Sequence, residues 1–268
     1  MKLLSQPTKL SLALILTCSS LLGNLSWVQA KPTPSNSDSR TPTAAPGNKT
    51  VRFVLPTLPP GPPPGGRVRG GARRGLCPSV NPQFTALVPF TQPAPSVMHV
   101  WGLTTTERPS LWFYVPFAKS SAYPAEFILQ DEEANPIYKS AIALPQQPGV
   151  MSISLPASVP PLTAGKRYRW FFNVYCETQQ QAPPLYVEGV VQRVNLSPAV
   201  AQQLQTAQPR QKVAIYAENG IWHEAINTLA ELRQQNPQDV SLQTQWKDLL
   251  EEIGLGDISG VAIVSSKP

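Results

Sequence analysis

Between residues 77 and 195 apolar residues recur in short runs with a period of two, separated by turn-forming residues. The clearest run is Tyr168-Arg169-Trp170-Phe171-Phe172-Asn173-Val174-Tyr175-Cys176. Alternate positions put Tyr168, Trp170, Phe172, Val174 and Cys176 on one face, and Arg169, Phe171, Asn173 and Tyr175 on the other. A period of two in aromatic and β-branched residues predicts a central strand with one fully buried face. The same pattern predicts strands over 84–88, 97–103, 111–115, 125–130, 137–144, 150–155 and 186–194. Pro116, Pro145, Pro156 and Pro183-Pro184 punctuate the connections, and Asn135-Pro136 and Thr163-Ala164-Gly165 read as turns. Short strands at this spacing, without intervening helices, predict an antiparallel, immunoglobulin-like β-sandwich. Consecutive aromatics must leave a strand on opposite faces. Trp112 and Tyr114 therefore share a face away from Phe113, and one of the two faces needs a cover unless its rings are exposed to a ligand.

After Asn195 the period becomes helical. Ser197-Pro198 starts a helix, with Ser as cap and Pro in the first turn. Helices are predicted over 198–207, 211–218, 221–235 and 240–253, the last two with apolar stripes that include Trp222 and Trp246. Tyr216, Gly220, Ala225, Leu229, Leu232 and Pro237 have the spacing of a tetratricopeptide repeat. One unit is visible, where about three are needed for a free-standing solenoid, so a single TPR-like hairpin packed on the sandwich is expected. A groove beside Trp222 and Trp246, completed by a partner, is the alternative. The fold class is α+β, a sandwich followed by a helical region.

The first 30 residues differ from the rest. Lys2 and Lys9 precede and enter an apolar run over 10–22, and Val28-Gln29-Ala30 ends in small residues, so a secretory signal peptide cleaved after Ala30 is expected. An uncleaved anchor is the alternative, although the run is shorter than the ~20 residues of a membrane span. Lipidation at Cys18 is another, with Thr17 an unfavourable neighbour. No later stretch is apolar over a spanning length, so no transmembrane span is expected after cleavage. Residues 31–66 carry ten of the 31 prolines among Ser, Thr, Ala and Asn, and read as a disordered linker. The domain is expected over 67–256, with the sandwich at 77–195, the helices at 196–256 and a loose tail at 257–268.

Charge is uneven. Residues 31–75 hold eight Lys/Arg against one acid, residues 76–209 seven of each, and residues 210–268 five bases against eight acids. The basic character thus belongs to the N-terminal arm, which argues against a nucleic-acid-binding surface on the fold. Within it, Arg67, Arg69, Arg73 and Arg74 lie among glycines that would let backbone N–H groups converge on an anion. They are candidates for contact with a wall polysaccharide or anionic lipid, or else a flexible basic lead-in. The exported chain keeps two cysteines, Cys77 and Cys176, for which one disulfide is expected in an oxidising compartment, two free thiols being the alternative.

Signals for catalysis are weak. His99 and His223 are the only histidines and have no companions at metal-ligand spacing. No Gly-x-Ser-x-Gly elbow occurs. Asp131-Glu132-Glu133 reads as a solvated turn, and Glu126 and Glu188 are isolated carboxylates within strands. No cofactor is expected. The sandwich aromatics leave glycan stacking open beside core or helix-covered packing.

Together these motifs resemble a family of exported cyanobacterial proteins described as a domain of unknown function (DUF928). The resemblance is carried by the Gly/Arg lead-in with Cys77, Thr85-Ala86-Leu87-Val88-Pro89, Leu111 to Pro116, Ala125 to Glu132, Pro148-Gly149 and Gly165 with Tyr168-Arg169-Trp170. It continues through Cys176, Val187-Glu188-Gly189, Arg193-Val194, Tyr216-Ala217-Glu218, Gly220-Ile221-Trp222 and Leu229 to Arg233. It covers about residues 66–256, and Phe90 departs from the polar residue expected there. The resemblance implies location and architecture but no reaction. The expectation is an exported, periplasmic or extracellular, non-enzymatic protein that binds or scaffolds an envelope protein. The alternative is a module for cell-wall polysaccharide.

Overall fold

The computed structural model describes residues 51–58, 61–70, 77–120, 123–176 and 182–264. In chain order its elements are β1 (Thr85–Ala86), β2 (Phe90–Ala94), β3 (Val97–Thr104), β4 (Ser110–Val115), β5 (Ala125–Gln130), β6 (Pro136–Ala141), β7 (Gly149–Ser154), β8 (Arg167–Val174) and β9 (Leu185–Arg193). Helices α1 (Pro198–Thr206), α2 (Pro209–Glu218), α3 (Trp222–Gln235) and α4 (Val240–Glu252) follow, then a 3-10 turn at Gly256–Ile258. The strands form a six-stranded sheet, β2-β3-β9-β8-β5-β6, and a three-stranded sheet, β1-β4-β7.

Alternation does what the pattern requires. Tyr168, Trp170, Phe172 and Val174 of β8 are buried, and Phe113 of β4 meets Phe127, Trp170 and Phe172 edge-on at 6.4, 5.5 and 4.9 Å between ring centroids. That cluster joins the two sheets. On the opposite face of β4, Trp112 packs edge-on against Trp246 of α4 at 6.5 Å and donates its Nε1 hydrogen to Asn227 Oδ1 at 3.2 Å. The helices therefore supply the cover that consecutive aromatics need. Ser197 caps α1 as expected, its hydroxyl accepting from the Val200 N–H.

Several expectations are corrected. The sandwich is not wholly antiparallel, because β3 and β9 run parallel. The chain leaves the large sheet after β3 to build β4 in the small one, and β9 later re-enters beside β3 in the same direction. β2 was not expected; its Pro93 is tolerated because an edge strand has one side free of ladder bonds. β8 ends at Val174, so Cys176 lies beyond the strand and is half-buried rather than part of its core face.

The proline-rich stretch is ordered over its described part. Val51 and Phe53 are buried, Phe53 sits edge-on to Trp222 at 5.0 Å, and the Val54 N–H donates to Ala217 O. Further on, Arg167 donates to Pro62 O and Arg169 to Pro64 O at 2.6 Å. An extended proline segment has no internal hydrogen bonds, so its carbonyls are free for such donors. Two apolar anchors and two arginines outweigh a composition that reads as disorder. Residues 31–50 of that linker lie outside the described residues, as does the leader with Ala30.

The described part of the Gly/Arg lead-in, residues 65–70, is also built into the fold. Arg67 exchanges backbone hydrogen bonds with Glu188 of the large sheet, while Gly70 donates to Phe84 and Val68 accepts from Ala86 beside the small one. Gly66 is required there: a Cβ would stand 2.8 Å from Glu188 O. Nor is the tail loose over its described part, residues 257–264. Ile258 is fully buried, and Ala262 and Val264 bond Val150 of β7 on both sides of an Ile263 bridge. Its apolar residues close the small sheet's remaining edge.

Candidate functional site

A groove of about 550 Å³ lies where β5 begins and β6 ends. Its floor is Ala125, Ala141, Ile142 and Leu144, and its rim carries Lys119, Ser120, Tyr123, Glu126, Lys139 and Tyr175. Alternation places Glu126 on the outer face of β5, opposite Asn173 of β8 and Ala141 of β6. Glu126 Oε1 accepts from Asn173 Nδ2 at 3.1 Å and from the Tyr175 hydroxyl at 2.9 Å, and Oε2 pairs with Lys139 Nζ at 3.0 Å. Burial alone would raise the Glu126 carboxyl, but the donors Lys139, Asn173 and Tyr175 outweigh it and hold the group below its ordinary range. Burial, with the bond to Glu126 and its charge, pushes the Tyr175 phenol up to about 12. One group is thus ionised and the other protonated throughout the neutral range. The pair is suited to hold a fixed pattern of charge and donors, not to exchange a proton.

The predicted site residues fall elsewhere. Cys77 and Cys176 are bonded, with Cα atoms 5.0 Å apart. They tie the start of the domain to the end of β8, one residue beyond Tyr175. Arg67 lies over the Tyr186 ring at 4.8 Å, and Arg69 makes a two-pronged pair with Asp257 at 2.8 and 2.7 Å. Arg69 is committed within the fold instead of waiting for an external anion, because the tail brings an acid to it. Arg73 and Arg74 lie outside the described residues. Trp222 and Trp246 are fully buried and so do not themselves line an open surface. Trp222 Nε1 donates to Leu87 O at 2.8 Å, and Trp246 is covered by Arg233 and Trp112. Their amphipathic stripe faces the small sheet. Phe171 and Tyr175 do remain half-exposed on the outer side of the large sheet.

Sequence reasoning missed what three groups do, although it named Glu126 and His223. Glu126 looked like any polar residue in an alternating strand, and its partner Tyr175 lies 49 positions away. Glu224, in the first turn of α3, is buried; its Oε1 accepts from Thr104 Oγ1, Thr105 N and Oγ1, and Thr106 N at 2.7–3.1 Å. The Thr104-Thr105-Thr106 run was the available signal, since its donors must find an acceptor where β3 ends. Beside Glu224, His223 is buried with no hydrogen bond to either ring nitrogen. Arg233 is the third, half-buried in the last turn of α3. Among the described residues, no cluster of three or more His, Cys, Asp or Glu side chains is placed to hold a metal ion.

The family model described as Domain of Unknown Function (DUF928) matches residues 69–263. That span runs from the Arg69 stitch beside β1 to the Ile263 bridge on β7, so it coincides with the segments that close the small sheet on both sides. No curated protein and no solved structure matches the chain.

Proposed function

The chain belongs to the DUF928 family, and from that premise we propose that it is an exported, non-enzymatic module of the cell envelope that docks a partner protein on the open edge of its six-stranded sheet. The observation that carries this reading is β6. It pairs with β5 on one side, and on the other it has no strand partner among the described residues. The Ile142 N–H points to Ala125 O of β5, so alternation turns the N–H groups of Ala141 and Lys139 outward. An extended peptide would add there as a further strand, drawing affinity from main-chain bonds and specificity from the 550 Å³ groove. The disulfide supports the exported address, since such bonds persist in oxidising compartments. No described helix is long and apolar enough to cross a membrane. We read the facing sheets as immunoglobulin-like in layering only, because of the parallel β3–β9 pair, and α2–α3 as a single TPR-like hairpin in which Ala217, Ala225 and Leu229 permit close approach.

A wall-polysaccharide ligand is the second reading. It is favoured by Tyr123, stacked on Phe117 at 5.0 Å, and Tyr175, whose rings border the same groove with Glu126 and Ser120. The test is an Ala141→Pro variant, which removes an outward N–H and leaves the bonds to β5 in place. Envelope proteins retained by the wild-type chain should be lost from the variant, with the melting temperature little changed. Retention by the variant, together with saturable polysaccharide binding that disappears in Tyr123→Ala, would replace the protein-partner reading with the glycan one.

A further inference from the structure

A second groove, of about 330 Å³, lies between the α3–α4 connection and the C-terminal segment around Ile263. Arg233, Gln234, Asn236, Pro237 and Gln243 line one side, Ala262 and Ile263 the other. Two features make it unusual. The Arg233 guanidinium lies 4.8 Å from the Trp246 ring centroid, which fixes its plane, and Nη1 is closed off from solvent without a hydrogen-bond partner. Among the described residues, no carboxylate lines the groove. A buried donor on a charged group that lacks an acceptor is costly, and an arriving anion removes that cost.

The second feature is the backbone of Ile263. The Val150 N–H donates to Ala262 O at 2.9 Å and the Val264 N–H to Val150 O at 2.8 Å. In this parallel bridge the N–H and C=O of Ile263 itself point away from β7. The extended residue Ile263 thus offers its N–H and C=O along the same groove that holds the Arg233 guanidinium.

We propose that this groove captures the C-terminal carboxylate of an extended peptide from a partner protein. The peptide backbone pairs with Ile263 and its terminal carboxylate lies against the groove-facing side of the Arg233 guanidinium, whose charge no described carboxylate in the groove answers. The amides of Gln234 and Gln243 supply further polar contacts at the rim. A uronic acid residue offers the same anion but no backbone to pair with Ile263, so the free strand edge favours the peptide. This site is separate from the β6 groove, and neither depends on the other.

The experiment uses the full chain and a library of peptides displayed with free C-termini. Selected sequences are then synthesised as carboxylate and as carboxamide and measured by fluorescence anisotropy. The carboxylate form should bind saturably. Amidation, Arg233→Gln or Ile263→Pro should each weaken it about tenfold or more, the scale of a lost charge-assisted bond. Arg233→Lys keeps the charge and most of the contact with Trp246, and should retain part of the affinity. The amide comparison needs no variant, so a folding defect in Arg233→Gln leaves the test intact. Equal binding of acid and amide, or no enrichment at all, overturns the proposal. So does tetragalacturonate binding with no selected peptide, which would assign the guanidinium to a uronate. Peptide binding that emerges only after residues 265–268 are removed would mean that the chain's own end occupies the groove.

Discussion

Mild acid should loosen this protein through one imidazole. His223 is 3% exposed at the start of α3, and a Cβ on Gly102 of β3 would lie 2.7 Å from its Nε2, so the ring is pressed against the sheet. Burial pushes its pKa from 6.5 down to about 4, against smaller upward pulls from the Glu224 charge and the Ser110 backbone. The unfolded chain takes up a proton near pH 6.5 while the folded one resists until about pH 4. The stability tied to His223 is therefore fully present above pH 6.5 and is lost as pH falls toward 4. At about 1.4 kcal/mol per pH unit, that interval is worth at most roughly 3.5 kcal/mol. The carboxyls held below their ordinary range, Glu126, Glu132, Asp239 and Asp257, release their contributions only below their unfolded values of 4.5 and 3.8. The window between pH 6.5 and 4.5 thus separates the imidazole from them. Urea unfolding followed by tryptophan fluorescence across that window should show the wild-type chain losing about 2–3 kcal/mol. A His223→Gln variant should be nearly flat. A flat wild-type curve, or an unchanged slope in the variant, would refute the argument that this ring is buried uncharged.

Two further outcomes follow from the packing. The Cys77–Cys176 bond spans a sequence separation of 99, and loop-closure entropy at that length corresponds to about 4–5 kcal/mol. Reduction, or paired Cys→Ser substitution, should lower the melting temperature by roughly 10 °C or more, given about 2–4 °C per kcal/mol for a domain of this size; no change in reductant would contradict it. Phe53→Ala should cost about 3–4 kcal/mol, the range for truncating a buried aromatic. Unaltered urea unfolding of that variant would show that the segment around Phe53 is not docked on Trp222.

How much of this could be read from the chain depends on whether the governing pattern is local. Alternation is local, so β8 was legible from Tyr168, Trp170, Phe172 and Val174 alone, and the α1 start from Ser197-Pro198. The disulfide was legible from two cysteines and an expected export signal. What failed is non-local. Residues 51–66 read as disorder because their composition is poor in apolar groups, yet Phe53 needs only one aromatic partner and Pro64 one arginine. The stripe with Trp222 and Trp246 left a hairpin packed on the sandwich and a partner groove both open, because an amphipathic pattern does not reveal what it faces; here Trp246 meets Trp112 and Trp222 bonds Leu87 O. The Glu126–Tyr175 contact joins β5 to the end of β8 through a register that no sequence window contains.

Sheet edges connect these findings. An unpaired edge invites indiscriminate pairing, and folds commonly cover it, shorten it or place proline and lysine on it. Here the small sheet is covered on both sides by the chain's own segments, Arg69 beside β1 and Ile263 beside β7. β2 carries Pro93 and an irregular register. β6 is treated differently. It begins with Pro136 and presents Lys139, which deters casual partners, but its central backbone stays open beside the groove. Lys139 is paired with Glu126, and Glu126 is fixed by Asn173 and Tyr175. A strand arriving at β6 must therefore satisfy a lysine whose counter-charge is already held in place. Edge pairing by itself is common to any sheet, so discrimination has to come from that fixed charge pattern. It follows that Glu126→Gln should relax selectivity among bound strands more than it weakens binding, whereas Ala141→Pro should do the reverse.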